Sequence, residues 1–338
     1  MTRRAMQTMT ERMTLSRRTL LLGVGAAAAG LSAGVSLAPA FAKAPMAATQ
    51  APAFYRFKIG DIEATVVSDG ELSLGPPNPQ LFGGVTQAAL DQALTDTMLP
   101  TDNIQLQENA LLLNTGDKLV LFDVGVGGAK AFGTKAGRLL VNLKAAGYEP
   151  KDVDAIVLTH AHPDHCWGLM ADDGTRNFPN AQIYLSEADL NFWTDEAKAS
   201  DPAIGSMIGP TRPQLLPNRD RMVFVKDGAE VVPGVQALAT PGHTVGHTSY
   251  MMTSGGKTLC LAADIAHHFV LTLSTPKVEF GFDTDPKQGV ATRIRTLDML
   301  AAQKVPTLFY HFPFPGVGHV AKRGDGYTFL PTPMQTVL

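Results

Sequence analysis

Seven consecutive residues, Thr159-His160-Ala161-His162-Pro163-Asp164-His165, constrain this chain more than any other stretch. They follow directly on a short apolar run, Val153 to Leu158, that reads as a strand. Alternate residues of an extended segment point the same way, so His160 and His162 can reach one metal ion together. The turn that Pro163 forces then directs Asp164 and His165 toward a second ion nearby. Imidazole and carboxylate donors suit zinc, with manganese, cobalt and iron as alternatives.

Further donors stand where such a site needs them. His243, in Pro241-Gly242-His243-Thr244, follows the strand-like run Gly234 to Ala239, on a loop that glycine allows to turn tightly. Asp264 ends the apolar strand Leu259 to Ala263, where a carboxylate can bridge two cations, and His311 ends another, Thr307 to Tyr310. Each candidate sits at the C-terminal end of a strand, so all can converge on one edge of the molecule. His247 and His319 are not needed to complete the donor count and read as structural.

The remaining pattern places this edge in a layered fold. Runs of β-branched and apolar residues at Tyr55 to Ile59, Ile62 to Ser68, Ala110 to Asn114 and Leu119 to Asp123 predict one antiparallel sheet. A helix is expected over Thr134 to Ala146, ended by Gly147. A second set of strands is expected at Gln182 to Leu185, Met222 to Val225, Gly234 to Ala239, Ser249 to Met252 and Lys257 to Ala263, alternating with helices at Glu187 to Lys198 and Lys287 to Ala302. The fold class is therefore α/β (α+β), a four-layer αββα sandwich over residues 55–338. The stretch Gly75 to Gln107 carries only a short helical pattern near Val85 to Ala93; a loop of that length suggests a lid or a dimer arm.

Hydrophobic residues make up 45% of the 338 and charged residues 17%, which excludes a disordered chain and allows a sizeable core. A formal charge of −3 provides no basic stripe, so a nucleic-acid partner is not expected. Residues 1–42 read as an export signal: Arg3, Arg4, Arg12, Arg17 and Arg18 precede the uncharged run Leu20 to Phe41, and Ala40-Phe41-Ala42 supplies a cleavage site. The pair in Ser16-Arg17-Arg18-Thr19-Leu20-Leu21 resembles the twin-arginine signal, which implies the twin-arginine export machinery as a transient partner and a periplasmic or secreted enzyme after removal near Ala42. An uncleaved anchor is the alternative, since the run is just long enough to span a bilayer. Residues 43–54, rich in Ala and Pro, read as a linker or N-terminal tail. Cys166 and Cys260 read as two buried free thiols.

The order His-x-His-x-Asp-His, Gly-His, strand-terminal Asp, final His resembles the signature of the metallo-β-lactamase superfamily, over the chain from about Tyr55 to the C-terminus. Within it the chain resembles the methyl parathion hydrolase (organophosphorus hydrolase) group and related lactonases, through residues 139–148, residues 154–164 and Phe312-Pro313-Phe314-Pro315-Gly316-Val317-Gly318-His319. The resemblance implies two divalent metal ions, one on His160, His162 and His243, the other on Asp164, His165 and His311, with Asp264 bridging. It also implies that Asp123 orients a ligand histidine from behind, the alternative being a strand-end cap. Phe132 and Trp193 would line an aromatic pocket, or Trp193 would be core.

Two cations about 3.5 Å apart can share a hydroxide at neutral pH, and that hydroxide, held through Asp264 and Asp164, is the expected nucleophile. A small-molecule phosphotriester, ester or lactone is the expected substrate; acyl-homoserine lactonase and aryl esterase activities are the alternatives. Lactonases of the superfamily place Tyr three residues after the bridging Asp, and the methyl parathion hydrolase group an apolar residue. Here the position holds His267, a candidate hydrogen-bond donor to substrate or a solvated loop residue. A mono-iron thiol dioxygenase would use only His160, His243 and Asp264, and a non-catalytic metal-binding protein would not need the long loop. Relatives suggest a homodimer.

Overall fold

The first strand shows how the pattern becomes structure: in Phe54–Ile59 (β1) Tyr55, Phe57 and Ile59 are buried while Phe54 and Lys58 face solvent, as suits a strand at a sheet edge. The computed structural model describes Met46 and residues 50–335. The expected export signal, with its cleavage site, lies outside the described residues, as does half of the 43–54 tail. Among the described residues no helix is long and apolar enough to cross a membrane.

After β1 the chain forms β2 (Ile62–Ser73), β3 (Phe82–Gly83), α1 (Gln87–Asp96), β4 (Gln105–Asn114), β5 (Leu119–Phe122), α2 (Leu139–Ala145), β6 (Ala155–Val157), α3 (Pro163–Cys166), β7 (Gln182–Leu185), α4 (Glu187–Thr194), α5 (Gly205–Leu215) and β8 (Met222–Phe224). It continues through β9 (Glu230–Val232), β10 (Val235–Ala239), β11 (Thr248–Ser254), β12 (Lys257–Ala263), α6 (Leu271–Ser274), β13 (Glu279–Phe280), α7 (Pro286–Gln303), β14 (Thr307–Phe309), β15 (Val317–Arg323) and β16 (Gly326–Pro331). Two seven-stranded sheets result, ordered β1-β2-β4-β5-β6-β7-β8 and β16-β15-β14-β12-β11-β10-β9.

The sheets are buried on both faces, which is why their central strands read as continuous apolar runs. Successive side chains of β4 point to opposite sides. Leu111 and Leu113 pack with Val120, Phe122, Tyr250, Met252, Leu259 and Leu261 between the sheets. Ala110 and Leu112 pack outward with Leu121, Ile156, Leu143, Leu190 and Leu215, under α2, α4 and α5. On the far side Cys260 and Ala262 of β12 meet Leu297 and Leu300 of α7. The order is helix, sheet, sheet, helix.

Several expected boundaries move. Gln182 to Leu185 and Met222 to Val225 belong to the first sheet, not the second: β5, β6, β7 and β8 run parallel, joined by long connections that carry helices. The helix expected from Thr134 begins only at Leu139, because Gly133 and Gly137 take positive φ and the intervening residues turn instead. The helix expected from Glu187 to Lys198 stops at Thr194, and a short 3-10 turn follows over Glu196–Ser200. Helix α5, which contains Pro210 and Pro213, and the β15–β16 hairpin were not expected. The segment Gly75 to Gln107 folds back on its own chain: Phe82, Leu90, Leu94, Ile104 and Leu106 form a cluster with Leu72, Leu271, Val278 and Phe280. Both cysteines are buried free thiols, and burial pushes Cys260 up to about 12.

Leu111 fills the space between the sheets, so Leu111→Ala is expected to cost about 2–5 kcal/mol in urea unfolding of the metal-loaded protein. Leu140, more than a third exposed, is the control, with a cost of at most about 0.5 kcal/mol.

Candidate metal centre

Strand β6 ends at Val157, and the next residues are pinned rather than free. Asp123 accepts the Thr159 amide at Oδ1 (2.8 Å) and the Thr159 hydroxyl at Oδ2 (2.8 Å). Asp189 accepts the Ala161 amide at Oδ2 (2.9 Å). His162 then occupies the N-cap of α3, with Pro163 in the first helical turn, where proline lacks no needed donor. The opening of α3 aims Asp164 and His165 back toward His160.

The same Asp189 carboxylate holds the second histidine loop. Its Oδ2 accepts the Thr244 hydroxyl (2.9 Å) and its Oδ1 the Gly246 amide (2.6 Å), so one buried side chain ties His160–His162 to His243. Gly242 has φ +129°, and a Cβ there would lie 2.3 Å from the Gly289 amide nitrogen of α7; only glycine lets the loop approach that closely. Asp264 follows Ala263, a non-glycine residue at φ +48°, and its amide is held 3.1 Å from His247 Nε2. His311 donates from Nδ1 to the Gln107 carbonyl (2.9 Å), and Asn109 donates to the Phe312 carbonyl (2.7 Å), fixing the exit of β14.

These loops converge on Asp264. Its Oδ2 lies 3.8 Å from His160 Nε2, 3.4 Å from His165 Nε2, 3.3 Å from His243 Nε2, 3.4 Å from His267 Nε2 and 3.0 Å from His311 Nε2. Asp164 Oδ2 is 3.4 Å from His165 Nε2 and 3.3 Å from His311 Nε2. His162 Nδ1 stands 2.9 Å from His243 Nε2. Two donors each about 2.0–2.2 Å from a tetrahedral zinc stand roughly 3.3–3.5 Å apart, and the observed separations, from 2.9 Å to 3.8 Å, bracket that spacing. His160 Nε2, His165 Nε2 and Asp264 Oδ1 are buried with no hydrogen-bond partner, as donors to a cation would be. The groups His160/His162/His243, Asp164/His165/His311 and His160/His165/Asp264 each bring three donor atoms together, so the residues present fit divalent cations.

All the metal ligands expected from the sequence therefore meet. Asp123 Oδ2 lies 2.9 Å from His165 Nδ1, behind that ring, and the carboxylate also braces Thr159 rather than capping its own turn. His247 is structural, holding the Asp264 amide and Thr240, and His319 lies away on β15. Phe132 lines the cavity in front of the centre and leans on Trp167 at 5.8 Å. The expected place of Trp193 in that wall is corrected: it is wholly buried in the outer core, its ring 4.7 Å from His162 from behind. The solvated-loop reading of His267 is corrected too. The ring is buried, stacked on Phe280 at 3.7 Å and 15°, with neither nitrogen hydrogen-bonded. His243, Asp264 and His267 form a further donor group.

Sequence reasoning missed three carboxylates. Asp189 follows a helix start and looks like an N-terminal helix charge. Asp69 lies mid-strand, yet accepts the amides of Val126 (2.9 Å) and Leu139 (2.6 Å) and so ties β2 to the loop before α2. Asp283 accepts from His243 Nδ1 at 2.8 Å. No spacing rule marks any of them; only a buried charge in the folded chain does.

Protons and a cation compete for the same ring nitrogens. Burial works against charge on His243, but hydrogen bonds to Asp264 and Asp283 push it up to about 9. For His165 burial is likewise outweighed, by Asp264, Asp164 and Asp123, which raise it well above the usual range. His160 and His162 are lowered by burial, reinforced by the charge of His165 on the first and of His243 on the second. Metal binding requires these rings neutral, so a proton on His243 competes with the cation below about pH 9. Zinc affinity, read by competition with a chromophoric chelator, is expected to rise from pH 6 to pH 8 by about tenfold per unit for each proton displaced. An affinity independent of pH would contradict this assignment.

The sequence model of the family described as Metallo-beta-lactamase superfamily matches residues 104–311. An N-acyl homoserine lactonase from Bacillus cereus is 26% identical over 256 residues, covering 71% of this chain and 91% of the relative. Among solved structures, AidC, a dizinc quorum-quenching lactonase in complex with its product, aligns with a TM-score of 0.79 and 28% identity, over 84% of this chain and 99% of that one. The hydrolase AbOPH aligns with a TM-score of 0.77 and 32% identity, over 85% and 100%.

Proposed function

The chain belongs to the metallo-β-lactamase superfamily, and we propose that it hydrolyses uncharged, apolar ester-type substrates, lactones foremost, with two zinc ions bound. The observation that carries this reading is the cavity in front of the centre. Its volume is ≈ 320 Å³, and Leu72, Leu74, Leu106, Phe132, Met207, Phe280 and Phe282 form its walls, with Asp164, Asp264, His267 and His311 at its floor. Among the described residues that line it there is no Lys or Arg. An anionic group on the part of the substrate remote from the centre would meet apolar walls without a Lys or Arg to pair it.

Two divalent cations, held by His160, His162 and His243 and by Asp164, His165 and His311, would supply the chemistry common to this reaction class, a water acidic enough to attack at neutral pH and polarisation of the oxygen on the scissile centre. The count of two rests on these two donor groups, which share no residue, and zinc on the dizinc lactonase among the similar structures. The chain's own residues do the rest. Leu72, Leu106, Phe132 and Phe282 exclude water and hold the acyl or aryl part of the substrate. His267, pushed down to about 4 by burial and then by the charge of His243, is neutral above that pH and offers one N–H to the substrate oxygen. Phe280 fixes its ring plane. Cys166, buried and raised by that burial, takes no part.

A phosphotriester with an aryl leaving group is the second reading, favoured by the aromatic side chains Phe132, Trp167 and Phe282 along the same cavity. The exported form, processed near Ala42, is the acting species we propose, periplasmic or secreted, reaching its compartment through the twin-arginine machinery and working as a homodimer.

Rates on an acyl-homoserine lactone, an aryl ester and a phosphotriester, measured on zinc-loaded protein, decide the substrate: the lactone is expected to give the highest kcat/KM, and a phosphotriester preference would reverse the order of the two readings. His267→Phe is expected to lower kcat by about 10²-fold, with His267→Gln recovering part of it. Because His267 is neutral above about pH 4, the deficit should be the same at pH 6 and pH 9. A deficit that opens only below pH 7 would mean that the protonated ring is the active form.

A further inference from the structure

We infer that the two halves of the centre hold their cations unequally, tightly at Asp164, His165 and His311 and loosely at His160, His162 and His243, because Arg293 offsets the carboxylate that supports the second half. The inference rests on the two-metal reading above. Its basis lies behind the ligands. His165 Nδ1 leans on Asp123 at 2.9 Å, and the other hydrogen-bond donors to Asp123 are the amide and hydroxyl of Thr159, both neutral. His243 Nδ1 leans on Asp283 at 2.8 Å, but the other oxygen of Asp283 lies 3.6 Å from the Arg293 guanidinium.

Arg293 is built into that position. It is one of the largest wholly buried side chains of the protein, and it rises from the second turn of α7 to donate to the carbonyls of Ile265 (2.9 Å), Pro276 (3.1 Å) and Val278. Three carbonyls fix the guanidinium without neutralising it, so its charge falls on Asp283. A carboxylate behind a ligand histidine strengthens the ring as a donor. Where that carboxylate already faces a cation, less of its charge reaches the ring.

The ligands themselves add to the difference. The first half includes the carboxylate of Asp164, whereas the second offers three neutral imidazoles, with His160 Nδ1 on the Thr159 hydroxyl at 3.0 Å. Asp264 serves both halves. Counting the ligand carboxylates and the charges that back a ligand ring, Asp164 and Asp123 place two negative charges near the first cation, while Asp283 and Arg293 cancel near the second; Asp189, also behind the second half, hydrogen-bonds Ala161, Thr244 and Gly246 rather than a ring. In a buried, weakly screened site that difference dominates the attraction for a divalent ion.

The test uses the full, zinc-loaded protein. Zinc per chain is measured by elemental analysis during dialysis against graded chelator, and two apparent Kd values are read by chelator competition. Two zinc ions per chain at saturation are expected, leaving in two steps separated at least tenfold in chelator. His311→Ala should keep only a loosely held zinc and His162→Ala only a tightly held one. Asp283→Asn should weaken the first-leaving zinc by about 10–100-fold and leave the other unchanged, and Asp123→Asn should do the reverse. Arg293→Met should tighten the first-leaving zinc; if that variant does not fold, Asp283→Asn still decides. Loss of both zinc ions in one step, equal weakening of both by Asp283→Asn, or a tightly held zinc in His311→Ala would each overturn the inference. Saturation at one zinc per chain would overturn the two-metal reading and the inference with it, and stoichiometry alone tells that case apart.

Discussion

One carboxylate oxygen, Asp264 Oδ2, has imidazole nitrogens of His160, His165, His243, His267 and His311 within 3.8 Å. Holding those rings together in a protein interior is unfavourable without cations, since buried nitrogens with no partner forfeit their hydrogen bonds to water. His160 and His165 share one loop and His243, His267 and His311 come from three others, so each must be fixed independently. Two backbone outliers stand next to the site, Asp123 at φ +60°, which itself backs His165, and Ala263 at φ +48°, directly before Asp264.

The bracing is done by buried acids rather than by loop packing. Asp69, Asp123, Asp189 and Asp283 each accept hydrogen bonds from a loop other than their own, and Asp189 alone joins both histidine loops. Burial works against their charge: it pushes Asp69 and Asp189 up to about 6 even though each accepts three hydrogen bonds. Such a site contributes little stability of its own. The apolar layer between the sheets, with Leu111, Leu113, Tyr250 and Leu261, offsets it from a distance. The strands therefore do two jobs, burying side chains along their length and presenting donors at their ends.

How much of this was legible in the sequence depends on the range of the interaction. The string His160 to His165 is local, and its donor geometry follows from strand and turn conformations, so the ligand set could be read from it together with His243, Asp264 and His311. The αββα layering followed from two sets of strand-like runs alternating with helical ones. The partition of strands between sheets did not, because β7 and β8 are short apolar runs that could pair in either sheet, and only the parallel crossovers decide. Helix α5 was hidden by Pro210 and Pro213, and α2 was overextended because Gly137 ends a turn rather than sitting inside a helix. Asp189 and Asp283 act across 57 and 40 positions of sequence, where no periodicity reaches. His267 looked like a loop residue because it lies in one; its burial comes from Phe280, which approaches from β13.

Much of the cavity wall has a different origin from its floor. The candidate metal donors stand at strand ends of the two sheets, and Leu72 and Leu106 lie on β2 and β4, whereas Leu74 comes from just after β2, Ala203, Ser206 and Met207 from the entry to α5, and Phe280 and Phe282 from the stretch before α7. These segments pack on the sandwich but do not build it. A change in Met207 or Phe282 can alter what fits without moving a ligand histidine, whereas a change in Asp264 alters the chemistry for every substrate. Only at His267 do the two meet: it faces the cavity and touches Asp264, so its replacement changes the fit of the substrate and the environment of the centre together.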